Sequence, residues 1–378
     1  MVSPAIKTAL AALLLAGAFS SVKALEMEDG LVFGTLPYPI EIKLPGGRKP
    51  GAVLFESPSS EPTAFDYDTV LIQGEMPAPA ISIRLETETR GTLSGGQVYK
   101  QAAFHRAPGG RFWMKYSLPG TRSALRLVVT NQDLKEDSSL TIYSTEFLRA
   151  DSMREEREPA AADTGVSREP LYLPADAPFN AVRRAQWNAA PPKEPYSPHT
   201  PFYFTLHHTQ GHYPKNLEEA SAEMRFIQDY HQNAKGWIDI GYHFLIDPMG
   251  DIFEGRPIGA VGSHVKGRNT GNIGISIMGN YQPPVSDTFT GSALSSFVAL
   301  GRYLKDTYSV DVSSFYAHRD IGPTDCPGSD LYARKELLRS LIFDPQTRGI
   351  PADPASAPPL TPAQSLSLEK LMRYLSGK

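Results

Sequence analysis

The sequence of 378 residues predicts an α/β region, a mixed central sheet flanked by helices, preceded by a smaller all-β, sandwich-like region. Three observations lead there. Over residues 28–150, short runs of Val, Ile, Leu, Tyr and Phe are punctuated by Gly, Pro, Ser and Asn, the pattern of closely spaced strands. Over residues 182–343, strand and helix patterns alternate. Between them, residues 151–181 are dense in Arg, Glu, Ala, Gly and Pro and carry too little apolar surface to fold alone, so they read as a linker.

The chain opens with Lys7, an apolar run from Thr8 to Phe19, and Val22-Lys23-Ala24, which reads as an export signal over 1–24, cleaved after Ala24. The run is shorter than the roughly 20 residues a membrane helix needs. The expectation is a periplasmic or secreted protein with no stable membrane anchor. Cleavage removes two lysines and no acid, taking the formal charge from -4 to -6. A mildly acidic chain lacks the basic footprint of a nucleic-acid binder.

In the β region, strands are expected at 53–55, 69–73, 80–85, 98–104, 111–116, 125–130 and 140–147. Ile81, Ile83 and Leu85 alternate with Ser82, Arg84 and Glu86, the period of a half-buried strand. Tyr99, Phe112, Trp113 and Tyr116 could stack on sugar rings; the reading favoured is that they pack in the strands' core. An independent carbohydrate-binding or adhesion module is the alternative role for this region.

In the α/β region, Phe202 to Leu206 is a strand ending at His207-His208. A helix is expected from Leu217 to Lys235, capped by Asn216 with Glu219 three residues on and stopped by Gly236. Strands follow at 242–246, 252–253 and 273–278, the last nearly all apolar and so buried on both faces. A second long helix is expected over 290–308, a short strand at 315–317 delivering His318, and a last helix over 331–343. Residues 344–361 form a Pro/Ala linker, and Thr361-Pro362 starts a C-terminal helix over 362–378.

The only cysteine, Cys326, lies in Thr324-Asp-Cys-Pro-Gly328, eight residues after His318. One cysteine cannot staple its own chain, so it is a free thiol or a ligand. With the His207-His208 pair and His318 it offers two imidazoles and a thiolate, a three-ligand zinc set that leaves a fourth position for water.

These motifs resemble, in order, those of the peptidoglycan recognition protein and zinc N-acetylmuramoyl-L-alanine amidase family, which includes bacteriophage amidase lysozymes. The resembling stretches are Arg184-Ala-Gln-Trp187-Asn-Ala189, Leu206-His-His-Thr209, Trp237-Ile-Asp-Ile-Gly-Tyr-His-Phe-Leu-Ile246, Gly250-Asp-Ile-Phe-Glu-Gly-Arg256, Gly262-Ser-His264, Asn272 to Tyr281, Ala317-His-Arg-Asp320 and Thr324 to Gly328. The resemblance covers under half the chain.

It implies one zinc ion per chain, held by His207, His318 and Cys326. It implies Tyr242 and Thr324 as catalytic groups, and His264, Asn269 and His208 as groups at the substrate, with His208 suited to packing or support of the site. Glu254 and Arg256 are expected to stabilise a turn or rim; His105, His199, His212, His231 and His243 are given no role. The implied reaction is hydrolysis of the amide between N-acetylmuramic acid and L-alanine, with peptidoglycan, glycan strand and stem peptide, as partner. The alternatives are a non-catalytic receptor or sensor of peptidoglycan, or a zinc peptidase acting on another wall amide. Where members that prefer diaminopimelate stems often carry Gly-Trp after Glu-Gly-Arg, this chain has Pro257-Ile258, so stem preference does not transfer. Oligomeric state is not legible.

Overall fold

The structure, a computed structural model, describes residues 33, 36–63, 65–87, 97–153, 155 and 172–347. The expected export signal, most of the 151–181 linker and the C-terminal helix lie outside the described residues. Among the described residues no helix is long and apolar enough to cross a membrane.

The N-terminal region is all-β. Its strands are β1 (Ile40–Leu44), β2 (Val53–Glu56), β3 (Tyr67–Glu75), β4 (Ile81–Thr87), β5 (Val98–Tyr99), β6 (Gln101–Arg106), β7 (Arg111–Thr121), β8 (Leu125–Asn131) and β9 (Ser138–Leu148). They form two antiparallel sheets, ordered β1-β9-β3-β7-β6 and β2-β8-β4-β5. One core joins them, including Ile42, Val70, Ile83, Phe112, Tyr116 and Leu127. The run expected as one strand over 98–104 is two. It breaks at Lys100, and β5 joins the smaller sheet while β6 joins the larger. Strand β1, absent from the sequence reading, is amphipathic, with Ile40, Ile42 and Leu44 buried and Glu41 and Lys43 exposed. Tyr99, Phe112, Trp113 and Tyr116 are all buried, as the core reading has it.

The second region is built on one six-stranded mixed sheet, ordered β10-β13-β12-β14-β11-β15. Its strands are β10 (Ala181–Val182), β11 (Tyr203–His208), β12 (Phe244–Ile246), β13 (Ile252–Glu254), β14 (Asn272–Ile277) and β15 (Phe315–Ala317). Only the β12–β13 pair is antiparallel. Every residue of β14 is buried, which its apolar run requires when both faces are covered. One face packs α2 (Gly291–Tyr308) and α5 (Lys335–Phe343) through Phe204, Ile275, Phe297, Leu300 and Leu338. The helix expected over 331–343 is two, α4 (Ser329–Tyr332) and α5, parted at Ala333 and Arg334.

The other face packs α1 (Leu217–Asp229). Asn216 Oδ1 accepts from Glu219 N at 2.9 Å and Glu219 Oε2 accepts from Lys215 N at 2.9 Å, capping the helix as its sequence predicts and stabilising it by about 1 kcal/mol. Its last turn differs from expectation. Tyr230–Ala234 widen into a π-turn, closed by Lys235 N donating to Tyr230 O, before Gly236 ends the element at φ +79°.

The two regions share a third core. The outer face of the larger β sheet lies on α1, with Leu71 and Trp113 among Met224, Phe226, Ile227 and Tyr230. Across this seam Arg111 makes a two-pronged buried pair with Glu223, both bonds 2.8 Å, and donates to Gly74 O at 2.9 Å. Trp113 Nε1 donates to Asp229 at 2.6 Å, and Glu146 bonds Tyr230 Oη at 2.5 Å and Lys235 Nζ at 2.7 Å.

Candidate metal centre and active-site cleft

Strands β11 and β15 run parallel with Leu206 opposite Ala317, so His207 and His318 reach the carboxyl edge of the sheet together, ring centroids 4.6 Å apart. A crevice at the carboxyl ends of parallel strands is where open α/β sheets take ligands. His318 opens the short helix α3 (His318–Ile321), whose turn is fixed by Asp320 Oδ2 accepting from Ala317 N at 2.7 Å. Lys335 and Tyr332 in turn hold Asp320, at 2.6 and 2.9 Å. The loop after α3 returns Cys326 to the pair. Arg319 N donates to Cys326 O, and Cys326 N donates to Thr324 Oγ1 at 3.1 Å. One donor atom each from His207, His318 and Cys326 then lies within 4.8 Å of the others.

The donor set fits zinc, and the hydrogen bonds behind it fit better still. His264 Nε2 lies 3.1 Å from Asn272 O, which can only accept, so Nε2 carries the hydrogen. Burial depresses the His264 pKa to about 3, so the ring is neutral and its Nδ1 is an acceptor. His207 Nε2, 3.1 Å from that Nδ1, therefore donates. This leaves His207 Nδ1 unprotonated, an acceptor 3.6 Å from Cys326 Sγ. A metal-binding histidine is held this way, its second nitrogen donating to a fixed acceptor. Burial also pushes His318 down to about 4 and His207 well below its ordinary value, so protons do not compete for either ring at neutral pH. His208 N donates to Cys326 Sγ at 3.4 Å, which favours the thiolate.

Two glycines make room for this arrangement. A Cβ on Gly262 or on Gly274 would fall 2.6 Å from the His264 ring, so any side chain there displaces the imidazole.

Among the remaining sequence candidates, Tyr242 and Thr324 line the same cleft as His318 and Cys326. Tyr242 precedes β12 rather than lying in it, and its ring is 5.3 Å from that of His207. The candidates expected at the substrate line the cleft too, but much of their polar capacity faces inward. His264 uses both ring nitrogens on His207 and Asn272. Asn269 Oδ1 accepts from the backbone of His264 and Val265 at 2.8 and 2.9 Å, fixing their loop. His208 is buried, its Nδ1 accepting from Tyr281 N at 3.3 Å. Glu254 and Arg256 lie in the interior rather than on a rim. Arg256 is 1 % exposed and donates to the carbonyls of Ile240 and Val261.

His231, given no role from sequence, lies at the cleft. Its Nδ1 accepts from Gly241 N at 3.1 Å, and its ring is 4.6 Å from Trp237 and 5.8 Å from Tyr242. It braces the turn that presents Tyr242. It lies in the π-turn that follows α1. Also unforeseen, residues of the β region, among them Tyr143, Ser144, Glu146 and Leu148, line the cleft.

A His-His-Cys cluster at the carboxyl edge of a mixed sheet, with a tyrosine beside it in a cleft, defines a candidate metal-dependent hydrolase centre. The sequence profile of N-acetylmuramoyl-L-alanine amidase, Amidase_2, matches residues 197–329. Peptidoglycan-recognition protein SC2 of Drosophila simulans is 36% identical over 134 residues, 34% of this chain and 70% of that protein. N-acetylmuramoyl-L-alanine amidase of Homo sapiens is 34% identical over 170 residues, 42% of this chain and 27% of that protein. The crystal structure of Drosophila peptidoglycan recognition protein SD aligns with 41% of this chain and 92% of that one, at 28% identity and a TM-score of 0.39. The chain belongs to the family of peptidoglycan recognition proteins and N-acetylmuramoyl-L-alanine amidases. The profile match leaves the N-terminal β region outside it.

Proposed function

We propose that this protein is a zinc-dependent amidase that cleaves peptidoglycan between N-acetylmuramic acid and L-alanine. One observation carries the reading. Three donor atoms of His207, His318 and Cys326 gather within 4.8 Å in a cleft that Tyr242 also lines. Zinc held there supplies a Lewis acid and an activated water at neutral pH. The chain's own groups do the rest. His264 keeps His207 in the tautomer that presents Nδ1. The His208 N–H stabilises the Cys326 thiolate. The Tyr242 hydroxyl donates to the scissile carbonyl oxygen as it gains charge, a contact that strengthens toward the transition state. Thr324 Oγ1 accepts from Cys326 N, which leaves its own hydrogen to donate to substrate. Being neutral, it contributes less than a charged group would.

Peptidoglycan, through glycan and stem peptide, is the substrate in this reading, and the apolar segment at 8–19 points to action outside the cytoplasm. The test is digestion of purified peptidoglycan by the zinc-loaded protein, with and without chelator, read by mass spectrometry. Free stem peptides beginning at L-alanine, lost with chelator and restored by zinc, are expected. Binding without cleavage in a zinc-loaded protein refutes the amidase reading in favour of a receptor. Cleavage at another bond refutes it in favour of a zinc peptidase.

A further inference from the structure

The cleft that contains Cys326 and His318 has two walls from different parts of the chain. One wall is the family-matched region. The other is strand β9, aimed by a bulge. Gly74 pairs with Ile142 and Gln73 with Ser144, which leaves Tyr143 as an extra residue in β9. A bulge of this kind turns side chains to a new face and recurs beside active sites. Before it, Leu140 and Ile142 point into the β core; after it, Phe147 does, while Ser144, Glu146 and Leu148 line the cleft. The seam of Arg111 with Glu223 and Trp113 with Asp229 fixes this wall against α1.

The chemistry of the wall is neutral and peptide-like. Each acid lining the cleft is matched inside the protein: Glu223 by Arg111, Glu155 by Arg256, Glu146 by Lys235. What faces a ligand then includes the Ser144 hydroxyl, the Gln210 amide and the aliphatic sides of Leu148, Ile227 and Met153, with the Lys266 ammonium on the family-matched side of the cleft. Ser144 lines the cleft with its Oγ almost wholly buried, and that oxygen has no hydrogen-bond partner among the described residues, so its bonding capacity is left for a group that enters beside β9. The cavity measures about 220 Å³, below the ~300–1,000 Å³ of drug-sized sites.

We propose that β9 binds the peptide part of the substrate beyond its first residue. Ser144 and Gln210 hydrogen-bond the peptide's amide groups, and Leu148, Ile227 and Met153 contact its side chains. The identity of that peptide as a wall stem rests on the amidase reading. Ser144 is thus a specificity residue supplied by a region outside the family match.

The test uses the full zinc-loaded chain and compares kcat/KM for a muramyl tetrapeptide with that for a muramyl dipeptide. Ser144→Phe fills the wall; Ser144→Ala removes only the hydroxyl. The tetrapeptide-to-dipeptide ratio is expected to fall tenfold or more for Ser144→Phe, and about two- to tenfold for Ser144→Ala, the loss of one hydrogen bond. Both changes should lie in KM, at wild-type zinc content. If Ser144→Phe does not fold, the alanine variant carries the test. An unchanged ratio overturns the proposal, as does an equal loss on both substrates. A loss that instead follows glycan length, read with a disaccharide tetrapeptide, assigns the wall to sugar and overturns it too. If the wild type cleaves neither substrate, the amidase reading fails separately. Calorimetry of the free tetrapeptide then decides for the wall: weaker binding by Ser144→Phe supports it and equal binding overturns it.

Discussion

Replacing His264 by Phe isolates the support of the metal ligand from the ligand itself. Phe keeps an aromatic ring between Gly262 and Gly274 and leaves no cavity, and because its ring is larger than the imidazole the melting transition is recorded beside the zinc affinity. It removes the Nδ1 that accepts from His207 Nε2 at 3.1 Å. In the metal-free variant His207 can shift its hydrogen to Nδ1, toward Cys326 Sγ 3.6 Å away, and leave no donor stranded. Zinc on Nδ1 forbids that tautomer and strands a buried N–H against the Phe face. An unsatisfied buried donor costs about 1–3 kcal/mol. Because the metal-free state escapes the cost, it falls on zinc affinity. At about 1.4 kcal/mol per tenfold, zinc should bind roughly five- to a hundredfold more weakly. That range overlaps the about 10–100-fold typical of lost support to metal ligands. A competition titration against a chromogenic chelator at neutral pH measures it. Affinity within twofold of wild type refutes the tautomer argument. Turnover with zinc saturating supplies a second reading. An unchanged KM confines His264 to support, whereas a raised KM adds contact with substrate.

Four further outcomes follow. Cys326→Ser should lose zinc and amide hydrolysis while keeping its melting transition, since Cys326 belongs to none of the apolar core clusters and serine nearly matches its size; wild-type rates at full zinc content would remove it from the ligand set. Tyr242→Phe should keep zinc and lose about 10²–10³ in kcat, the scale for one transition-state donor, and an unaltered kcat would exclude the role. Glu223→Ala strands the buried Arg111 and should cost about 3–5 kcal/mol in denaturant melts, whereas a cost under 1 kcal/mol would mean the pair is not desolvated. At the same seam, burial pulls His212 down but the Glu75 bond at 2.7 Å and the charges of Glu223 and Glu75 outweigh it; Glu75 is likewise pulled up by burial and held low overall by His212. A raised His212 adds stability that is complete below its unfolded pKa of about 6.5 and vanishes as pH rises through its folded value. A lowered Glu75 adds stability that is complete above its unfolded pKa and vanishes as pH falls through its folded value. The melting gap between wild type and His212→Gln should therefore be widest in mildly acidic solution and close in alkali; a gap that widens with pH contradicts the assignment.

The fold class was legible because its signals are local. Alternation marked β4, an unbroken apolar run marked β14, and Asn216 with Glu219 marked the start of α1. The misreadings share a cause. Lys100 divides one apolar run between two sheets, Ala333 and Arg334 interrupt a helix pattern, and the π-turn at Tyr230–Ala234 keeps helical spacing while changing its pitch. In each case the residues suit the longer element, and packing against distant strands decides the break.

At the site, residue types pointed to two imidazoles and a thiolate, the family resemblance chose His207 over His208, and the structure brings His207, His318 and Cys326 together. The supporting contacts did not show. The role of His264 depends on which nitrogen carries a hydrogen, and that is set by Asn272 O, a backbone atom no motif records. The second wall is further from legibility. Ser144 is an ordinary strand serine until a one-residue slip against Gln73 and Gly74 turns it, and a slip of that kind leaves no mark in composition. What the sequence does hold is the clasp. Arg111 is one charged residue at the start of an otherwise apolar stretch, Arg111-Phe-Trp-Met114, and in the structure it reaches Glu223 across the seam. A charge in such a run lies buried only if its partner comes from elsewhere in the chain. In the structure that partner lies on α1, outside the β region.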